Sequence, residues 1–171
     1  MRLFVAIHFS PSVKESLLHA QNVLRRQGSG NFTRPENLHL TLAFIGETDR
    51  LDAAIRAVSS LTQPSFAVKL REIGRFGDLY WVGVEENSAL NSLQKQVSSA
   101  LRTEGFTLEK RAFRPHLTLC RQYRPRQALR LHEVSAALGM PQCRITRVSL
   151  MESSRQQGKL VYTERYGKDL S

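Results

Sequence analysis

The tetrapeptide His-Leu-Thr-Leu occurs twice, once in each half of the 171-residue chain, at 39–42 and 116–119. In both copies leucine alternates with histidine and threonine, and Leu38 extends the alternation of the first. Because successive side chains of a β-strand point to opposite faces, the pattern predicts two strands that are anchored in a core by their leucines. The other face of each strand then carries an imidazole beside a hydroxyl. The repeat therefore predicts two equivalent strands that present these polar groups to a groove or to solvent.

The rest of the chain alternates between strand-like and helix-like spacing of apolar residues. The predicted elements are a strand over 3–9, a helix over 10–28, a loop over 28–36, a helix over about 49–61, a strand pair over 66–72 and 79–85, a helix over 90–105, a motif strand over 115–121, a helix over 126–138, and a last strand pair over 143–151 and 160–166. Each half thus supplies a strand, a helix and a hairpin around one motif strand. This order predicts one α+β domain over 1–171 with two intimately packed lobes. The fold would be pseudo-symmetric, with two mostly antiparallel sheets flanked by helices and with the motif strands lining a central groove.

The charge of the chain favours an anionic partner, since its net charge is +10 and its pI is near 10.3. A basic protein with no such partner is the alternative. The segment 110–130 strengthens the first interpretation, because it surrounds the second motif with basic side chains and contains no acid: Lys110, Arg111, Arg114, Arg121, Arg124, Arg126 and Arg130. We expect no signal peptide and no membrane span, because no apolar stretch approaches the ~20 residues that a span needs.

The two cysteines form no CxxC pair and predict no disulfide framework, which fits a reducing cytoplasm. Strand alternation predicts that Cys120 shares a face with His116. A nucleophilic role for its thiol is conceivable on that ground, although free cysteines more often simply pack in the interior.

Two histidines that face one groove can divide acid and base catalysis between them, because the imidazole pKa lies near neutrality. Hydrolysis of a cyclic phosphodiester needs both, since the attacking water loses a proton and the departing sugar oxygen gains one. Threonine hydroxyls and a guanidinium would stabilise charge on the phosphate oxygens. A zinc site is the chemical alternative. Apart from Cys120, however, no carboxylate or cysteine lies at ligand spacing from His39 or His116, and HExxH is absent. We therefore predict no metal and no cofactor.

Four segments together resemble a known family: Arg2–Ile7, 37–47, 80–84 and 114–121. They are similar to the 2H phosphoesterase superfamily and, within it, to the bacterial RNA 2′,3′-cyclic phosphodiesterases, also called 2′-5′ RNA ligases. The resemblance implies a bilobal fold and metal-independent hydrolysis of an RNA 2′,3′-cyclic phosphate end to a 2′-phosphate. It also implies that the reverse direction, in which a 5′-hydroxyl is joined in a 2′-5′ linkage, is possible.

The same resemblance implies roles for individual residues. His39 would be the proton donor to the leaving 3′ oxygen, and His116 the base that activates water. Thr41 and Thr118 would hold the phosphate, and Arg121 would contact it. Strand alternation by itself places Arg121 on the face opposite His116, so the assignment requires a strand end or a bulge at Cys120-Arg121. From the residues alone, pseudo-symmetry leaves the acid and base roles of the two histidines exchangeable.

Further substrate contacts are predicted with less support from the motifs. Phe4 shares strand parity with Ala6 and could stack on a base, with a core position as the alternative. Arg114, Arg124 and Arg126 are candidate contacts to the RNA strand. The expected partner is RNA with a 2′,3′-cyclic phosphate end, tRNA halves among the candidates, or a nucleotide, bound by a monomer. The alternatives are a phosphodiesterase for another cyclic or 2′-5′-linked nucleotide and a non-catalytic RNA-binding module.

Overall fold

A computed structural model describes all 171 residues, which form nine strands and four helices. A short 3₁₀ helix, Pro35–Asn37, precedes the first motif strand. In chain order the elements are β1 (Arg2–Ile7), α1 (Pro11–Gln27), β2 (Gly28–Phe32), β3 (Leu40–Glu47), α2 (Leu51–Ser59), β4 (Phe66–Phe76), β5 (Leu79–Val84), α3 (Ser88–Thr103), β6 (His116–Pro125), α4 (Leu131–Leu138), β7 (Gln142–Ile145), β8 (Arg147–Gln156) and β9 (Lys159–Asp169).

The strands form two antiparallel sheets. The first sheet has the order β3-β1-β8-β9, and the second has the order β2-β6-β5-β4-β7. The motif strands β3 and β6 therefore belong to different sheets, and they approach each other where the sheets meet. Helices α1 and α4 pack together against the second sheet, while α2 packs against α3 and the first sheet. This arrangement confirms the predicted bilobal α+β fold. None of the helices is both long and apolar enough to cross a membrane.

The leucines of the two motifs anchor their strands as the alternation predicted. Leu38, Leu40, Leu42, Leu117 and Leu119 are all buried, and all belong to one core cluster of 38 residues. His39, Thr41, His116 and Thr118 lie on the other face and are half-buried. Burying five leucines contributes roughly 1.5–3 kcal/mol each relative to exposure, so the orientation of the polar face follows from the packing of the apolar one.

The lobes are not the two halves of the chain. The first sheet takes β1 and β3 from the first half and β8 and β9 from the second. The second sheet likewise takes β2 from the first half, next to β6 from the second. The halves share a similar order of elements, but each lobe needs strands from both.

Three local predictions were wrong. Residues 28–32 were expected in a loop but form β2, an edge strand paired with β6. Its sequence shows no apolar alternation because glycine is required there: a Cβ on Gly30 would lie 2.6 Å from the sulfur of Cys120. Helix α4 begins at Leu131 rather than at 126. The stretch 143–151 divides at Thr146 into β7 and β8, which pair in different sheets.

Candidate active site

His39 lies directly before β3 and is held by two hydrogen bonds. Its Nδ1 is 2.7 Å from the carbonyl oxygen of Asn37, and its Nε2 is 2.9 Å from Oγ1 of Thr41. A carbonyl oxygen can only accept, so Nδ1 carries a proton and Nε2 is the basic nitrogen of the neutral ring. The side-chain amide of Asn37 donates through Nδ2 to the carbonyl oxygen of Leu160, which ties this turn to β9.

His116, the first residue of β6, has the same arrangement. Its Nδ1 is 2.7 Å from the carbonyl oxygen of Arg114, again the residue two positions earlier. Nδ1 is therefore the protonated nitrogen here as well, and Nε2 has no protein partner. Two imidazoles with matching tautomers thus point their Nε2 atoms away from their own backbone. They are close enough that a positive charge on His116 lowers the pKa of His39.

Aromatic side chains surround His39. The rings of Phe4 and Tyr162 have centroids 5.0 Å and 5.1 Å from the imidazole, with Tyr162 nearly perpendicular to it. Burial lowers the pKa of His39; the bond to Asn37 opposes this shift, while the nearby His116 and Arg121 add to it. The free protein therefore holds His39 mainly in its neutral form at pH 7.

The aromatic neighbours of His116 are different and more open to solvent. Phe76, at the end of β4, is edge-on to the imidazole with ring centroids 5.7 Å apart, and Trp81 of β5 lies 6.3 Å away. Phe76 is 45% exposed. Neither residue was singled out from the sequence as part of the site. Their position follows from the pairing of β5 with β6, where Trp81 is opposite Thr118.

A bulge in β6 decides where Cys120 and Arg121 point. Opposite Tyr80 and Trp81 of β5, strand β6 has one extra residue between Thr118 and Cys120. The parity therefore changes: Cys120 turns into the core, fully buried, and Arg121 is exposed. The predicted position of Cys120 on the His116 face was wrong. Burial raises the pKa of its thiol to about 11, which removes the thiolate that a nucleophile would need.

Arg121 faces the groove as a result of the same bulge. Its positive charge lowers the pKa of His39 and opposes the burial-driven rise in the pKa of Tyr162, and both of these residues belong to the first sheet. The guanidinium has no acidic partner in the protein. It is therefore available to an anion held between the two histidines.

His8 is a second imidazole close to His39 that sequence reasoning gave no role. The ring centroids are 6.4 Å apart. Burial, with His39 and Lys14 adding to it, lowers the pKa of His8 to about 4, while Glu164 opposes the shift. The signal was present in the sequence, because His8 directly follows β1 and continues the alternation of Phe4 and Ala6. Using it required knowing that β1 pairs with β3 and that Ala6 is opposite Thr41.

The remaining candidate contacts have varied surroundings. Phe4 is only 4% exposed, so its ring supports His39 and leaves little free surface for a base. The backbone of Arg114 holds His116, while its side chain and that of Arg124 are exposed. The guanidinium of Arg126 donates to the carbonyl oxygens of Arg25 and Gly28, a bond set that joins α1 to the end of β6. No group of three or more His, Cys, Asp or Glu side chains comes together as a metal site.

Two sheets that each bring a His-x-Thr pair to a shared groove define a two-histidine phosphoesterase. The family model described as the 2′-5′ RNA ligase superfamily matches residues 9–157. The chain therefore belongs to the 2′-5′ RNA ligase superfamily, whose members are 2H phosphoesterases.

Known proteins agree with this assignment. An Archaeoglobus fulgidus protein named RNA 2′,3′-cyclic phosphodiesterase is 32% identical over 128 residues, which cover 71% of this chain and 72% of that protein. A Geobacillus stearothermophilus protein of the same name is 27% identical over 90% of this chain, which spans only 54% of its length. The crystal structure of Escherichia coli LigT complexed with 3′-AMP superposes with a TM-score of 0.82 at 26% identity, covering 99% of this chain and 98% of LigT.

Proposed function

We propose that this protein hydrolyses RNA 2′,3′-cyclic phosphate ends to 2′-phosphates without a metal ion. One observation carries the proposal: each imidazole donates Nδ1–H to the carbonyl two residues earlier, so Nε2 is the basic nitrogen of both rings, bonded in His39 only to the hydroxyl of Thr41 and in His116 to no protein atom. The names of the relatives, RNA 2′,3′-cyclic phosphodiesterase, support the same reaction. The net charge of +10 suits a polyanionic substrate.

The proposed chemistry uses one proton transfer at each histidine. His116 Nε2 accepts a proton from water as the water oxygen bonds to phosphorus. The bond from phosphorus to the 3′ oxygen breaks, and His39 Nε2 donates a proton to that oxygen. Transfers of this kind contribute typically about 10²- to 10⁴-fold each. Product release and proton exchange with solvent restore the starting states.

The lowered pKa of His39 bears on its role as the acid. An acid must be protonated when the leaving group departs, yet burial favours the neutral form of this imidazole. A bound phosphodiester anion would stabilise the protonated ring, since an opposite charge within ~4–6 Å raises the pKa of a histidine. Substrate binding and protonation of His39 would then be coupled. The rings of Phe4 and Tyr162 pack against the imidazole and leave His39 little freedom to turn away from the phosphate.

Thr41, Thr118 and Arg121 would hold the phosphate. The hydroxyls of the two threonines donate to its non-bridging oxygens, where charge grows in the transition state. The guanidinium of Arg121 adds charge-assisted hydrogen bonds from the same face of β6 as His116. A substrate held in this way is an RNA end, with tRNA halves among the candidates. We further propose a monomer that works in the cytoplasm, where its two free cysteines stay reduced.

The test uses an RNA oligonucleotide that ends in a 2′,3′-cyclic phosphate, incubated with the protein in EDTA. We expect a 2′-phosphate product that is lost in His39→Ala and in His116→Ala. Turnover that needs an added divalent metal would overturn the metal-independent mechanism. An RNA that binds but is not turned over with or without metal would favour the non-catalytic module, and turnover of a different cyclic or 2′-5′-linked nucleotide alone would replace the substrate.

A further inference from the structure

Phe76 is a large, exposed aromatic residue of the second sheet, and its ring borders His116. It is the last residue of β4, and its ring lies 5.3 Å from Trp81 and 5.7 Å from the imidazole. The residue is 45% exposed to solvent. An exposed aromatic ring with one side packed and one side free offers a flat apolar surface beside the reacting groups.

This ring is presented on a rigid support. The indole of Trp81 lies across the backbones of β4 and β5 at two glycines, and a Cβ on Gly74 or Gly83 would lie in or against it. The hairpin turn after Phe76 includes Gly77 at a φ of +60°, and the carbonyl of Asp78 accepts a hydrogen bond from the backbone of Tyr123 in β6. Little conformational entropy is lost when a ligand stacks on a surface that is already fixed.

In-line displacement determines which part of a substrate reaches Phe76. The attacking and leaving oxygens lie on opposite sides of the phosphorus, and the base takes its proton from the attacking one. With His116 as the base, the molecule that carries the attacking hydroxyl lies on the side of His116 and Phe76. Water needs no platform there. A nucleoside whose 5′-hydroxyl replaces water has a base that can stack on an aromatic ring.

We propose that Phe76, backed by Trp81, is the stacking platform for the base of an acceptor nucleoside whose 5′-hydroxyl attacks the cyclic phosphate. The 5′ oxygen bonds to phosphorus as its proton passes to His116, and the bond to the 3′ oxygen breaks as His39 donates a proton to it. The product is a 2′-5′ phosphodiester with a free 3′-hydroxyl. This inference rests on the proposed function, and it assigns a residue that favours transfer to a nucleoside over hydrolysis.

The first sheet supplies a matched control. Phe44 of β3 is 70% exposed and lies 6.3 Å from Phe4, which in turn contacts His39. By the same in-line argument Phe44 borders the nucleotide that bears the phosphate. A substitution at Phe44 should therefore change hydrolysis and transfer in the same proportion, whereas one at Phe76 should change their ratio.

The experiment offers the cyclic-phosphate oligonucleotide either adenosine or methyl riboside, which has the same 5′-hydroxyl without a base. Hydrolysis is recorded in every reaction as the internal reference. We expect wild-type protein to transfer to adenosine about 5- to 100-fold better than to methyl riboside, relative to hydrolysis, the range that base–aromatic stacking provides. Phe76→Leu, which keeps apolar bulk but loses the aromatic face, should abolish this preference, and Phe76→Tyr should retain it.

Three other outcomes would each overturn one part of the argument: the stacking platform, its place beside His116, or the proposed function. Hydrolysis by wild-type protein with no preference for adenosine would overturn the platform and leave the proposed function standing. Loss of the preference in Phe44→Leu but not in Phe76→Leu would place the acceptor at His39 and overturn the assignment. Absence of any turnover of the cyclic end would overturn the proposed function and, with it, the inference.

Discussion

The two His-Leu-Thr-Leu copies are identical in sequence but lie in unlike surroundings. His39 uses both ring nitrogens in hydrogen bonds and is enclosed by Phe4 and Tyr162. His116 uses only Nδ1 and borders the exposed ring of Phe76. The shared feature, a carbonyl two residues earlier, fixes the tautomer in both. The differences come from neighbouring strands, so one repeated motif places the same groups in two different environments.

The largest effect is expected from removing either imidazole. His39→Ala and His116→Ala should each lower kcat for hydrolysis about 10³-fold, because each removes one proton transfer. The double variant should be little worse than either, since the groups act together. Single-turnover kinetics would measure these rates, and fluorescence anisotropy would show whether RNA affinity persists. His19→Ala, at an exposed position of α1, is the control. Activity that survives the loss of one histidine would contradict the paired mechanism.

The two threonines offer a finer comparison. Thr41→Val and Thr118→Val keep the side-chain shape and remove a hydroxyl, and each should lower kcat/KM by roughly 10- to 100-fold. The loss should be greater for Thr41, because its hydroxyl also bonds Nε2 of His39. The corresponding serine variants retain the hydroxyl and serve as controls. Equal losses at both positions would mean that the bond between Thr41 and His39 contributes nothing to the reaction.

His8 makes the first sheet sensitive to acid. Its pKa is lowered from 6.5 to about 4 by burial, so the unfolded state binds more protons between these values. The free energy of unfolding is therefore insensitive to His8 above pH 6.5. It falls as pH decreases towards 4, by up to about 1.4 kcal/mol per pH unit, because protons bind the unfolded state preferentially. His8→Gln should therefore flatten the decline in the free energy of unfolding, measured with urea from pH 7 to pH 4.5. An unchanged slope, matching that of His19→Gln, would show that His8 titrates normally.

The smallest effect tests whether Arg121 reaches across the groove. Arg121→Gln removes a positive charge that lowers the pKa of His39, so that pKa should rise. An NMR titration of the His39 imidazole would measure the change. Arg124→Gln, three residues further along β6, should leave the titration as it is in wild type. If both variants behave alike, Arg121 points elsewhere and cannot contact the phosphate.

The sequence correctly predicted the strand face on which the four motif residues lie, because alternation is a local property and five buried leucines enforce it. It failed where position depends on a partner strand. The bulge that buries Cys120 and turns Arg121 to the groove exists only against Tyr80 and Trp81 of β5. Antiparallel pairing of β1 with β3 likewise brings His8 beside His39. A bulge had been required to reconcile Arg121 with the family resemblance, and the structure contains one.

The edge strand β2 escaped prediction for a related reason. Its glycines are needed because the chain passes close to Cys120 and Tyr123, contacts that are contributed by β6 at a distance of some ninety residues in sequence. Propensity considered over a short window favours a loop for such a stretch. Tertiary contact therefore overrode local preference, as it did in the division of 143–151 between two sheets.

Because each lobe contains strands from both halves of the chain, two fragments of this protein would each be inactive alone. A cut in the segment 60–65 would leave His39 in one fragment and His116 in the other, and neither fragment would contain a complete sheet. β1 would lack β8, and β6 would lack β2. Turnover could then return only when the two fragments associate, so the rate of phosphodiester hydrolysis would measure their association.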